Sequence, residues 1–536
     1  MLEVRQPAVS PVRIRSFTRD QESIVSRPNP NPLLPECVMA DRPSRAPRLA
    51  IVAAAVGRCA RGACLATLVA CGTDRGPAGG PDVDALAVAA STSVCHISGA
   101  RATALQLDPQ QLDTHLRHGD YVMALEVGDG NVNARDIARF STISAAIAAA
   151  RTIRTSRPPA AVANCPITIT VAPGTYRGTV EPTLDPALER LPLLLDFSGV
   201  TLRGALQMSL DDVQRATGIG RDLLATTLLP IQPLSGVAAL HSQPLIVVNS
   251  QPSGAPTVRV AIEGFVFQSG HAGSGTGFGG QGILALRVRD LTVRGNRFEG
   301  GFSEPIDLRA SEALVERNHL AGGSGACDLC LAGPGVYRAM DNRLVAGSAP
   351  GILVTPATLL PVPPMVERYI LPADATVEAA LINNEVRDHL HSTIGAGIRL
   401  GAVGVGAPNV HGRISARLSG NTLAHNTFGL IVEAAHPTYG SARKGDIAAT
   451  LDRNQFIESC QRDLMVSLTP HTTGLGLANA PSLRQSTFRL SLGQDLRWQD
   501  AWYGNPDGFD NSLIVDDARI PYGSRAGYDA KRGCGR

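Results

Sequence analysis

A chain of 536 residues is long enough for one large core or several domains. It is 44% hydrophobic and 18% charged, which excludes a highly charged disordered polymer. Its 55 Gly, 37 Pro and 4% aromatic residues suit stacked small aliphatics joined by many turns. The net charge of +2 is unevenly placed: residues 1–70 carry ten Arg against five acids, so the remainder is slightly negative. No electrostatic case for a nucleic-acid partner is left. Lys444 and Lys531 are the only lysines, a bias that weakens any reading of Arg as chosen for its chemistry.

Residues 1–38 are rich in Pro and Arg without apolar periodicity and read as a disordered extension. From Met39 a basic segment leads into the apolar run GACLATLVA at 62–70, then Cys71-Gly72. A basic start, a short apolar run and a small-residue processing site describe an export signal. Leu68-Val69-Ala70-Cys71 resembles the lipobox of bacterial lipoproteins, which implies cleavage before Cys71 and a lipid on its thiol. Residues 1–71 are therefore extension and signal, and 72–95 a flexible tether. No other stretch is long and apolar enough to span a bilayer, so a membrane partner is expected through the lipid anchor alone. Export places the body in an oxidising compartment, where six cysteines remain after Cys71. Cys327 and Cys330 form a lone CxxC without a second pair, which argues against zinc, and no metal site is read.

Residues 96–193 read as an N-terminal cap and first coil. STISAAIAAA at 141–150 is an apolar capping helix, and ITITVAPGTYRGTV at 167–180 a strand, turn and strand. Residues 207–230 look helical, an insertion on the early coils. A parallel solenoid is expected over 194–492, with 493–536 as C-terminal cap or tail carrying Trp498, Trp502 and Tyr503.

The solenoid shows itself in VRGNRFEGG at 293–301 and VERNHLAGG at 315–323. The Asn recurs as Asn296, Asn318, Asn342, Asn384, Asn421 and Asn454. Apolar residues stand three and five positions before each and two after, the period-two pattern of strand–turn–strand. A third short strand precedes most of these units: GILAL, PIDLR, CDLCL, GILV, GIRL and GLIVE. Three short strands per coil mean turns that stack, aligning like residues into ladders. At the bend, an inward Asn amide can bond backbone groups the sheets leave unpaired, and the Asn of the next coil. Its short side chain also tolerates left-handed φ there.

This pattern resembles the right-handed parallel β-helix, pectate-lyase-like superfamily over roughly 140–490. The resemblance implies an all-β solenoid with long corner loops and a ligand groove along the third-strand sheet. Parity places Leu284, Leu286, Ile306, Leu308, Leu329, Leu331, Ile352, Val354, Ile398 and Leu400 inside. The outward column is then Ala285, Asp307, Asp328 or Cys330, Leu353, Arg399, Glu433 and Met465. A lyase of this family needs clustered acids for calcium and an Arg as base, so Asp307, Asp328, Arg399 and Glu433 are the catalytic candidates. Calcium enters only with that reading; otherwise no cofactor is expected.

From the fourth Asn the repeats lengthen, always after the GILV-type strand: 355–377, 401–413 and 434–446. Long turns at one corner of successive coils would form a wall bearing His411, His436, Tyr439, Arg443 and Lys444. Aromatic faces stack on sugars and cations pair with uronic carboxylates, so the expected partner is an acidic polysaccharide. The expected function is polysaccharide binding at the bacterial cell envelope by an exported, lipid-anchored monomer. The alternatives are a polysaccharide lyase or related carbohydrate-active enzyme, and a structural surface protein or adhesin.

Overall fold

The computed structural model describes residues 92–128, 139–156, 163–179, 185–206, 225–230, 244–249, 256–269, 280–356, 374–391, 395–401, 411–433 and 445–467, with short strands between 487 and 526. Its body is a right-handed parallel β-helix. Among the described residues, three long sheets of 14, 10 and 11 strands run its length, parallel except at the C-terminal edge. The first sheet holds the strand before each Asn (Val288–Arg294, Glu312–Glu316, Gly335–Met340), and the second the strand after it (Arg297–Glu299, His319–Ala321, Arg343–Val345). The third is built from Ile283–Leu286, Ile306–Arg309, Leu329–Ala332, Ile352–Thr355, Ala396–Gly401, Phe428–Glu433 and Arg462–Ser467.

Inside each bend the Asn column is a hydrogen-bonded ladder. Asn318 Oδ1 accepts the main-chain N–H of Asn296 at 3.0 Å and its Nδ2 at 3.1 Å, and Asn342 does the same for Asn318. The relay continues through Asn384, Asn421 and Asn454. Each Nδ2 also donates to a carbonyl in the preceding coil's first-sheet strand: Asn318 to Val293, Asn342 to Val315. All six Asn are buried, so the ladder satisfies backbone groups that water cannot reach. The left-handed residue at this bend is not the Asn, as expected, but its predecessor: Gly295, Arg317, Asp341, Asn383, Gly420 and Arg453 all have φ between 53° and 66°. The Asn keeps ordinary φ and spends its side chain on the ladder.

The N-terminal end is closed by two helices and a hairpin. Strands β1 (Thr92–Ser98) and β2 (Arg101–Leu107) pair antiparallel, α1 (Pro109–Arg117) follows, and β3 (Tyr121–Val122) returns to β1. Helix α2 (Ile143–Thr155) starts at Thr142, whose Oγ1 accepts the Ala145 N–H. It buries Ile143, Ala146, Ile147 and Ala150 in the same core as the coils. The first coil follows as Ile167–Val171 and Gly174–Thr179. Within the expected helical stretch 207–230, Thr226–Pro230 is instead a second-sheet strand paired with Gly174–Gly178. Its neighbours make the choice: Thr226 Oγ1 bonds the Val171 and Ala172 carbonyls, which holds the chain extended. At the other end Ala501–Gly504 adds a strand to the third sheet. Trp498 lies outside the described residues.

Candidate functional site

Register along the third sheet decides which side chains leave the coil. Ile283, Ile306, Leu329, Ile352, Ile398 and Leu430 stand in one inward column, and Ala285, Leu308, Leu331, Val354, Leu400 and Val432 in another. Leu284 and Leu286 therefore point outward and Ala285 inward, the reverse of the expected parity. With four apolar residues in a row, alternation carried no information, and only pairing with Ile306 and Leu308 chooses the face. One outward column reads Leu284, Asp307, Cys330, Leu353, Arg399, Ile431 and Met465; the next reads Leu286, Arg309, Ala332, Thr355, Gly401 and Glu433. Asp307, Arg399 and Met465 stand where expected. Cys330 takes the place offered to Asp328, and Glu433 stands one column over, in the same column as Arg309.

This outward face is not a solvated one. Asp307 is 0% exposed, Arg399 3% and Glu433 2%. Burying charge is tolerable only with partners. Arg399 Nε donates to Glu433 Oε1 at 2.6 Å, with a further contact from its Nη2. Asp307 Oδ2 accepts Arg309 Nε at 2.8 Å and Gln281 Nε2 at 2.7 Å. Asp328 belongs to the turn before its strand, fully buried, where Oδ2 meets His389 Nε2 at 2.9 Å. His389 in turn bonds Asn426 Oδ1 through its main-chain N–H at 3.0 Å. Burial raises the Asp328 carboxyl above its ordinary value, and the His389 contact opposes it. This triad ties bends of separate coils together inside the fold.

The chemistry gathers around Asp307. Gln281 Nε2 donates at 2.7 Å to Asp307 Oδ2 and also, at 2.7 Å, to Glu304 Oε2, so one amide holds two carboxyl groups. Burial pushes Glu304 up to about 7, helped by the Asp307 charge and opposed by the Gln281 bond, Arg309 and the Ala326 N–H. Asp307 instead carries a guanidinium directly on Oδ2. The two carboxyls are thus split: one poised near neutrality, the other charge-compensated. Within this cluster two acceptors are buried without a protein partner, Asp307 Oδ1 and Gln281 Oε1. Glu304 stays partly exposed at the rim. The calcium implied by a lyase reading does not fit, because Arg309 already occupies Asp307 Oδ2. The remaining oxygens also fall short of the about six to eight that calcium takes.

Gln281 and Glu304 were absent from the candidates. The usable signal was coil spacing: Ile283 pairs with Ile306, so positions 281 and 304 stack as neighbours. Among the wall residues, His411 opens the strand His411–Ser419, aligned with Asp374; His436, Tyr439, Arg443 and Lys444 lie outside the described residues. The long connections do re-enter the first sheet in one register, Thr376 beside Arg413 beside Asp446. These residues, with Ser415 and Ala448, line a cavity of about 380 Å³. Cys71 lies outside the described residues.

No family model and no curated protein matches the chain. Solved structures do. DFA-IIIase from Arthrobacter chlorophenolicus A6 in complex with GF2 is 13% identical, covering 75% of this chain and 86% of that one, with TM-score 0.39. A hyperthermoactive exopolygalacturonase from Thermotoga maritima is 11% identical over 68% and 87%, TM-score 0.37. The mannuronan C-5 epimerase A-module of Azotobacter vinelandii is 12% identical over 68% and 95%, TM-score 0.29.

Proposed function

We propose that this chain is an exported, lipid-anchored bacterial β-helix protein that binds polysaccharide at the cell envelope. The carrying observation is the pair of orphaned acceptors, Asp307 Oδ1 and Gln281 Oε1, beside a partly exposed Glu304. A buried acceptor without a donor is costly, and sugar hydroxyls supply donors in closely spaced sets. The preference for an acidic glycan rests on the other locality. There Arg413 lines the cavity, and in the sequence Arg443 and Lys444 directly precede the strand Gly445–Asp452 that carries Asp446 and Ala448 of its lining. Export is supported by the disulfides Cys95–Cys165 and Cys327–Cys330, and anchoring by the Leu68–Cys71 motif.

A second reading is glycosidic-bond cleavage, favoured by Glu304 alone. A carboxyl near 7 can carry a proton to a leaving oxygen, and the Arg309-paired Asp307 stands next to it as the second carboxyl such cleavage uses. The test is a glycan-array screen of residues 72–536 with product detection on every hit. Retention without shortened or unsaturated product is expected for binding, with Gln281→Ala weakening it at least tenfold. Product formation lost in Glu304→Gln, with retention kept, would establish cleavage instead. Failure to retain any glycan would remove both readings and leave a structural surface protein.

A further inference from the structure

Far from the third-sheet site, three elements of the N-terminal cap bring together two imidazoles and a carboxylate. His96 is on β1, His115 in the last turn of α1, and Asp120 in the turn leading into β3. Both His96 Nδ1 and His115 Nδ1 lie on the same Asp120 oxygen, Oδ2, at 2.9 and 2.7 Å. The other oxygen, Oδ1, is occupied by the Ile97 N–H at 2.9 Å. The three ligand atoms all lie within 4.8 Å of one another.

The placement is built rather than accidental. The next residue before His96 is Cys95, buried and disulfide-bonded to Cys165. Cys95 also pairs across the sheet with Ala104 on one side and Tyr121 on the other, which fixes β1 between two strands. The Asp120 N–H bonds the His115 carbonyl at 3.2 Å, so the turn holds carboxylate and ring in one frame. Asp120's side chain is 0% exposed, while His96 and His115 are 39% and 24% exposed. The carboxylate is thus set at the base of a shallow cup with two rings at its mouth, stacked edge to face with centroids 5.5 Å apart.

We propose that His96 Nδ1, His115 Nδ1 and Asp120 Oδ2 bind a single Zn²⁺ ion that clamps the N-terminal cap. Two imidazoles and one carboxylate are a donor set that suits zinc, whereas calcium and magnesium call for all-oxygen sets. Tetrahedral ligation at about 2.0–2.2 Å sets ligand atoms roughly 3.3–3.6 Å apart, so each Nδ1 must draw back from Asp120 Oδ2 by about half an ångström or slightly more, and the partly exposed rings have room to turn. Zinc takes the Nδ1 lone pair, so each neutral ring binds as its Nε2–H tautomer, with its single proton moved from Nδ1 to Nε2. Three protein ligands and an open mouth leave the fourth position to water.

The competing description is a metal-free triad in which each imidazole donates its Nδ1 proton to Asp120. Equilibrium dialysis of the metal-stripped full chain against micromolar Zn²⁺ separates the two. The parent should take up one equivalent more than the His96→Gln/His115→Gln double variant, and millimolar Ca²⁺ or Mg²⁺ should not compete. Zn²⁺ should raise the thermal midpoint of the parent and not of the variant, since an ion bound only by the folded state stabilises it. The single variants His96→Gln and His115→Gln, each expected to weaken uptake at least tenfold, serve if the double variant fails to fold by circular dichroism. Equal uptake by parent and variants, or no uptake by the parent, overturns the proposal.

Discussion

Replacing Asn318 with Leu tests the ladder at its centre. Asn318 Oδ1 accepts both the main-chain N–H and the Nδ2 of Asn296, and its own Nδ2 donates to the Val293 carbonyl and to Asn342 Oδ1. Asn296 Nδ2 keeps its bond to the Ile262 carbonyl, and Asn342 Oδ1 keeps the Asn318 main-chain N–H. Two backbone groups lose these ladder partners, the Asn296 N–H and the Val293 carbonyl, at a cost of about 1–3 kcal/mol each. Leu has nearly the same shape, and its burial offsets about 1.5–3 kcal/mol of that loss. The expected net destabilisation is about 1–3 kcal/mol. Urea unfolding followed by far-UV circular dichroism measures it, with Thr292→Ala on the outward face of the first sheet as a control expected within about 0.5 kcal/mol of the parent. An Asn318→Leu midpoint equal to the parent's would show that the ladder contributes nothing to stability and refute its assigned role.

Arg399→Ala removes the ion pair to Glu433, itself at 2% exposure, and should cost about 3–5 kcal/mol in denaturant, while Arg399→Met with Glu433→Leu should recover most of it. The Glu304 carboxyl is raised from 4.5 to about 7 in the folded chain, so between those pH values the folded state holds a proton the unfolded state releases. Its contribution to stability therefore falls as pH rises through that window; Glu304→Gln should be relatively more stable than the parent at pH 8 than at pH 4, and a pH-independent difference in midpoint would contradict the raised value. Cys71→Ser in a bacterial host should abolish fatty-acid labelling and shift the protein to soluble fractions; unchanged labelling would exclude Cys71 as the anchor.

The sequence by itself determined the architecture, because a solenoid writes its geometry into a local period. The Asn column, the apolar positions around it and the third strand upstream repeat every coil, and each repeat obeys the same inside–outside rule. Parity read the third sheet correctly where a polar residue breaks the run, as in Ile306–Arg309, and failed at Ile283–Leu286, where all four residues are apolar. Tertiary structure alone decided what faces what across coils. Stacking makes residues one coil apart into neighbours, so Gln281 can hold Glu304 and Asp307 together, and Asp328 can meet His389 sixty-one positions away. No local pattern marks these residues, since the groups that meet come from different coils: Gln281 from the one before Glu304 and Asp307, and His389 from a later one than Asp328. Nor did the charge column reveal its own burial: Asp307 with Arg309 and Arg399 with Glu433 look like a solvated face until their partners and exposure are known. Hydropathy records whether a side chain resembles water-loving surface. Whether its charge is compensated by a partner from another part of the chain is a property of the stacked coils alone.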